Sequence, residues 1–318
     1  MGQTKKWTFQ AVPGYFESHA DIAKQLPNER FITQPRLALL SREYPTDTED
    51  MRNDKDWERF ANHVRSLNRD APANVSYKVL YLTRHGFGYH NQKHREVGTE
   101  AWDLNIRQSY WSLLKGDDKI TWFDSFLNKE GVQQAEDLGE FWRHGVAADG
   151  MPIPQTLYTS PLARCLQTTE IVFSRLMKTN GALFCPAVKE QIRERFTVHT
   201  CDLRRPRTWI EQNYPGYAIE ANVTEEDQFS GQTRWETRDE HNARKQEALE
   251  QIFSSDQSEF VSLTVHSFAI EAILEVCNGE VFRVREGTSL ALLVRGEECS
   301  APTAEANGID VAATLIPN

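Results

Sequence analysis

The chain has 318 residues, 39% hydrophobic and 10% aromatic, enough for a sizeable core and for one large domain or a domain with an extension. Its formal net charge of -10 excludes general affinity for nucleic acid or an anionic membrane surface, while leaving room for a local basic pocket that takes one small anion. The cysteines Cys165, Cys185, Cys201, Cys277 and Cys299 are odd in number, widely spaced and without a CxxC pair, which points away from a disulfide framework or zinc site and towards a reduced, cytoplasmic setting.

The first residues, MGQTKKWTFQ, lack the apolar core of a signal peptide, and Lys6 stands where an acylation signal at Gly2 would want Ser or Thr. No apolar run approaches the roughly 18 residues that a membrane helix needs. Residues 1–73 read as an N-terminal extension with little strand signal, aromatic and proline-dotted at first (Trp7, Phe9, Pro13, Tyr15, Phe16). The later stripe of Trp57, Phe60, Val64 and Leu67 has helical spacing and should pack on the main body. Asn74–Thr83 then reads as a strand running into Arg84 and His85. A polar loop precedes a helix N-capped by Asn128, with Val132, Ala135, Leu138 and Phe141 on its inner face. A short strand, Thr156–Thr159, meets Ser160-Pro161 and a helix follows, with Ser160 as its cap and Pro161 at its first position. FVSLTVHSFAIEAILEVC (260–277) repeats the plan of strand, histidine and helix. SLALLVRG (289–296) is the last strand, and 297–318 a loose tail. This alternation predicts an α/β fold: a three-layer sandwich with a mainly parallel central sheet, spanning residues 74–296, with ligands at the carboxyl ends of its strands.

Three strand ends carry Arg84-His85, Ser160 with Arg164, and His266. If these strands are neighbours, two arginines and two histidines share one crevice, a costly cluster of like charge unless an anion joins them. Phosphate fits, because arginine forks match its oxygens and an imidazole with one nitrogen protonated attacks phosphorus through the other.

The motifs in order resemble the histidine phosphatase superfamily, the phosphoglycerate-mutase-like family, and its fungal members in particular. LTRHGFGYHN is similar to the RHG motif followed by an asparagine, FLNKEGVQQA to the LTxxGxxQA helix start, and YTSPLARCLQT to SPLxRxxQT. IRERFTVHTCDLRR is similar to LRE…HTCDRR, and TVHSFAI to SHSGEI; together these span roughly residues 40–295. The resemblance implies a phosphatase that hydrolyses a small phosphorylated organic molecule with no metal or other cofactor. In it His85 becomes phosphohistidine, and Arg84, Arg164 and His266 hold the phosphoryl oxygens. Asn91 adds a hydrogen bond, Glu194 is the general acid, and Ser160, Gly86 and Gly88 belong to the pocket, the glycines clearing space for the phosphate.

The sequence departs from that pattern at three positions. Phe87 follows RHG where the family has a polar residue, and Phe268 and Ala269 stand where it has glycine and, in the fungal group, glutamate. Such changes suit a pocket for a hydrophobic substrate. The alternative is therefore a repurposed enzyme, a lyase, cyclase or isomerase acting on an isoprenoid phosphate or diphosphate in fungal secondary metabolism. Arg204, with Arg205 and Arg207, is a basic run that is either a solvated face or a hold on an acidic substrate. His199, Cys201 and Asp202 lack the fourth partner of a metal site. Tyr89 and His90, inside the RHG segment, either line the pocket or pack beside it.

Overall fold

The sheet grows outward from one buried strand. The structure, a computed structural model, describes residues 6–103 and 110–299. Its strands are β1 (Lys6–Ala11), β2 (Arg30–Phe31), β3 (Val75–Arg84), β4 (Thr156–Thr159), β5 (Ala187–Val188), β6 (Ala218–Ile219), β7 (Phe260–Val265), β8 (Arg283–Val284) and β9 (Ser289–Cys299). Its α-helices are α1 (His19–Gln25), α2 (Asp56–Asp70), α3 (Tyr89–Asp103), α4 (Lys129–Asp149), α5 (Ala163–Thr179), α6 (Arg207–Asn213), α7 (Arg238–Ser255) and α8 (Ser267–Val276). None of these is long and apolar enough to cross a membrane.

The main sheet has the order β1-β9-β3-β7-β4-β5-β6, and β2 pairs with β8 apart from it. From β3 to β6 every pairing is parallel, whereas β9 runs antiparallel to both β3 and β1. β3 shows why two helical layers form. Its side chains alternate, so Leu80 and Leu82 pack with residues of α1, α7 and α8, while Val79 and Tyr81 pack with residues of α2, α4 and α5. The three-layer α/β architecture with a mainly parallel sheet is thus as expected, and so is the Asn128 cap, whose side chain accepts the Gly131 N–H at 2.9 Å.

The chain ends differ from expectation. Lys6–Ala11 is an edge strand of the main sheet, with Trp7 and Phe9 buried and Lys6, Thr8 and Gln10 outward. The segment read as an extension with little strand signal therefore completes the sheet. β9 continues past 296 to Cys299, and the rest of the expected tail lies outside the described residues. The helix after Ser160 starts at Ala163 with Leu162 at its cap position, because the Ser160 hydroxyl is turned to a histidine instead.

Because Phe9 is only 2% exposed and its ring lies 4.9 Å from that of Phe253, Phe9→Ala should cost about 3–5 kcal/mol. Urea unfolding checks this. A detachable extension would leave the midpoint of the main transition unchanged.

Candidate active site

β3, β7 and β4 lie side by side and parallel, with Arg84 opposite Val265 and Thr159 opposite Thr264. The residues that follow these strands therefore emerge at one level at their carboxyl ends. There the structure brings together Arg84, His85, Ser160, Arg164 and His266, all buried.

Arg164 sets the geometry. Its Nε–H is shared between His85 Nε2 at 3.2 Å and His266 Nδ1 at 3.3 Å. Arginine has no acceptor, so both of these imidazole nitrogens must carry lone pairs. Each ring then holds its hydrogen on the other nitrogen. His85 Nδ1 donates to the Gly86 carbonyl at 2.7 Å, and His266 Nε2 donates to the Ser160 hydroxyl at 2.8 Å. Burial, then the Arg164 charge, pushes both imidazoles well below the usual histidine range. The arginine itself is fixed from behind by the Cys201 carbonyl at 2.6 Å and the Asp202 carboxylate at 3.4 Å. Arg84 donates to the Val284 carbonyl at 2.5 Å and pairs with Glu286 at 2.8 Å, leaving a buried Nε–H without a partner.

Glu194 stands at the N-terminus of α8. It accepts the N–H groups of Ala269 at 3.1 Å and Phe268 at 3.3 Å, which supplies the cap that His266, at the N-cap position, does not. Burial pushes its carboxyl up to about 7, and the Asp202 charge adds to the rise; the backbone N–H of Arg195 and the two arginines pull the other way. The cluster thus offers a neutral imidazole nucleophile, cationic and N–H donors around it, and an acid that titrates near neutrality. An anion with several oxygens satisfies those donors together.

The histidine phosphatase superfamily (branch 1) model matches residues 115–283. A protein named "probable phosphoglycerate mutase" from Arthroderma benhamiae is 40% identical over 292 residues, 91% of this chain and 85% of that protein. This chain belongs to the histidine phosphatase superfamily. A second relative, "probable phosphoglycerate mutase PMU1" of Saccharomyces cerevisiae, is 28% identical over 90% of this chain and 96% of its own length. Among solved structures, the α-ribazole phosphatase of Shigella flexneri has 15% identity and a TM-score of 0.40, covering 68% of this chain and 94% of that one. Membership of the superfamily, with the Arthroderma relative at 40% identity, supports a phosphatase or mutase type of enzyme.

Other expected site residues have different work in this member of the superfamily. Gly86 and Gly88 stand where protein groups approach closely. A Cβ on Gly86 would meet the Gly131 carbonyl oxygen at 2.3 Å, and one on Gly88 would meet His90 Nδ1 at 2.6 Å. The Gly86 N–H is taken by Thr168 Oγ1 at 3.1 Å. Ser160 is fully buried, and its hydroxyl accepts the His266 Nε2–H. Phe87 is buried with its ring 4.4 Å from the Arg95 guanidinium, covered by that side chain. Phe268 is 42% exposed beside Glu194. Asn91 Oδ1 holds the Gly88 N–H at 3.0 Å.

Arg204 is not a substrate contact. It is buried, with Nε 3.1 Å from Glu190 and its terminal nitrogens on the carbonyls of Thr224, Arg205, Glu225 and Glu226. Arg205 and Arg207 likewise bind Asp124 and Glu211. One ligand atom each from His199, Cys201 and Asp202 lies within 4.8 Å of the others, but Arg164 donates to this group and a cation there would face its charge. Sequence reasoning weighed Asp202 only as a metal ligand and did not single out Glu286 or Thr168; these three hold Arg164, Arg84 and the Gly86 N–H. It left His90 open.

Arg204→Gln should destabilise the fold by about 3–5 kcal/mol, since it strips a buried ion pair. Thermal unfolding reads this, and KM for p-nitrophenyl phosphate should stay within about twofold. A raised KM in a variant of normal stability would return Arg204 to the substrate site. Ser160→Ala should leave His266 Nε2–H unpaired, at a cost of about 1–3 kcal/mol, and lower kcat more than it raises KM.

Proposed function

We propose that this chain is a phosphatase that hydrolyses a small phosphorylated organic substrate through a phosphohistidine at His85. The observation that carries this reading is the His85 Nδ1–H bond to the Gly86 carbonyl, which leaves Nε2 as the nucleophilic lone pair. In the first step His85 Nε2 attacks phosphorus, the bond from phosphorus to the ester oxygen breaks, and Glu194 gives its proton to that oxygen. In the second, water attacks phosphorus, the P–N bond breaks with its electron pair returning to Nε2, and the Glu194 carboxylate takes the water proton. Arg164, Arg84 and the Asn91 amide bind the phosphoryl oxygens, and His266, whose N–H is held by Ser160, orients the Arg164 guanidinium.

The substrate's leaving group is apolar in this reading. Phe268 supports it: the ring is 42% exposed while its backbone N–H binds Glu194, so an aromatic surface stands beside the acid that protonates the leaving oxygen. The same surface suits the alternative of a repurposed enzyme acting on an isoprenoid phosphate or diphosphate. The organic product separates the two, because hydrolysis gives the free alcohol while a lyase, cyclase or isomerase working on such a compound gives a different skeleton or alkene.

His85→Ala should abolish phosphate release from a panel of aryl, alkyl, sugar and prenyl phosphates, and only wild type should hold acid-labile radiolabelled phosphate after quenching. Release that persists in the variant rejects the phosphohistidine route. Glu194 must be protonated for the first step, so kcat/KM should fall as pH rises through about 7. In Glu194→Gln that limb should vanish and kcat/KM for alkyl phosphates should drop about 10²–10⁴-fold. A limb unchanged in the variant assigns the proton to another group. Phe268→Gly should cut the preference for apolar over sugar phosphates about tenfold, the effect of burying part of an aromatic ring; equal losses on both would argue against an apolar subsite.

A further inference from the structure

A third imidazole stands at the nucleophile. The His90 ring centroid is 5.7 Å from that of His85, and the largest charges that bear on it are those of Arg164, His85, Arg84 and His94, all basic. Its place is built. The ring folds back over Gly88, where any Cβ would strike its Nδ1 and Cε1 at 2.6 and 2.7 Å, and its backbone N–H is held by Ser125 Oγ at 3.1 Å. Nδ1 is buried with no partner. The donors nearest to it are occupied: the Gly88 N–H goes to Asn91 Oδ1 and the His90 N–H to Ser125.

These facts fix the tautomer. A buried N–H with no acceptor is rarer and more costly than an unused lone pair, so Nδ1 carries the lone pair and Nε2 the hydrogen. Burial and the two arginines also disfavour the charged ring, which keeps His90 a neutral donor. Nothing among the described residues bonds to its Nε2, and the largest charges that bear on the ring are basic. Resting on the phosphatase reading above, we infer that His90 is a catalytic residue whose Nε2–H binds an oxygen of the phosphoryl group transferred at His85. Gly88 then has a reason: it is the only residue type that lets the ring lie where the donor reaches the site.

Two shape-related variants separate this role from packing. His90→Phe keeps a ring and removes the donor; His90→Gln keeps a neutral N–H donor. Binding of inorganic phosphate alone, read by calorimetry, should weaken about tenfold in His90→Phe and recover most of that loss in His90→Gln. The kcat for p-nitrophenyl phosphate should fall about 10²-fold in His90→Phe, the usual effect of removing one oxyanion donor. On wild type, nitrogen-15 histidine spectra should show Nε2 of His90 protonated and shifted by added phosphate while Nδ1 keeps its lone-pair position; this arm needs no variant to fold. Phosphate affinity within twofold of wild type in His90→Phe, equal losses in both variants, or a His90 resonance indifferent to phosphate would each overturn the inference. Phosphate binding needs no turnover, so a wild type that binds phosphate through His90 but releases none from any ester would reject the phosphatase reading and leave the donor standing.

Discussion

One N–H of Arg164 governs the site. Held between His85 Nε2 and His266 Nδ1, it forces both lone pairs to converge on the same point. An arginine cannot reverse its role, so the tautomers follow from the identity of one residue rather than from the surrounding field. A buried guanidinium is itself expensive, and the fold meets that cost with the Cys201 carbonyl and the Asp202 carboxylate. Asp202 is in turn fixed by a 2.5 Å hydrogen bond from Thr197, and its neighbouring Thr200 by the carbonyl of Leu114. The turn around residues 200–202 therefore holds the Arg164 guanidinium in place.

What the sequence made legible was local. The strand ends with Arg84-His85, Ser160 and His266 follow from short apolar runs and from residue types with one plausible shared chemistry, and the parallel sheet then has to place them together. What it hid was long-range. Arg204 looks like part of a solvated basic run because its neighbours in sequence are Arg205 and Arg207, yet its carboxylate partner Glu190 is 14 residues back along the chain. The polar spacing of KWTFQA does carry a strand signal, with Trp7 and Phe9 two residues apart, but its aromatic content beside Pro13 reads as loop-like until β9 is there to pair with it. Gly86 and Gly88 are both places of close approach. The approaching groups are the Gly131 carbonyl and the His90 ring, neither of which the local sequence could name.

The departures at Phe268 and Ala269 make physical sense once Glu194 is in view. The N-cap position of α8 belongs to His266, whose ring is committed to Arg164 and Ser160 and cannot cap the helix. Glu194 reaches the open end from another segment and takes the N–H groups of positions 268 and 269. The cap uses only the backbone there, so the exposed Phe268 side chain can change without losing it, whereas Ala269 is packed into the core. The carboxyl group is pulled both ways: burial and Asp202 favour its protonated form, while the Arg195 N–H, Arg164 and Arg84 favour the ionised one, and burial prevails. A group that caps a helix next to the nucleophile is thereby left titrating near neutrality, which is what a proton donor to a leaving group requires. The exposed ring of Phe268 stands at a position where the cap constrains only the backbone, and in the proposed reading specificity changes there while the chemistry beneath it stays intact.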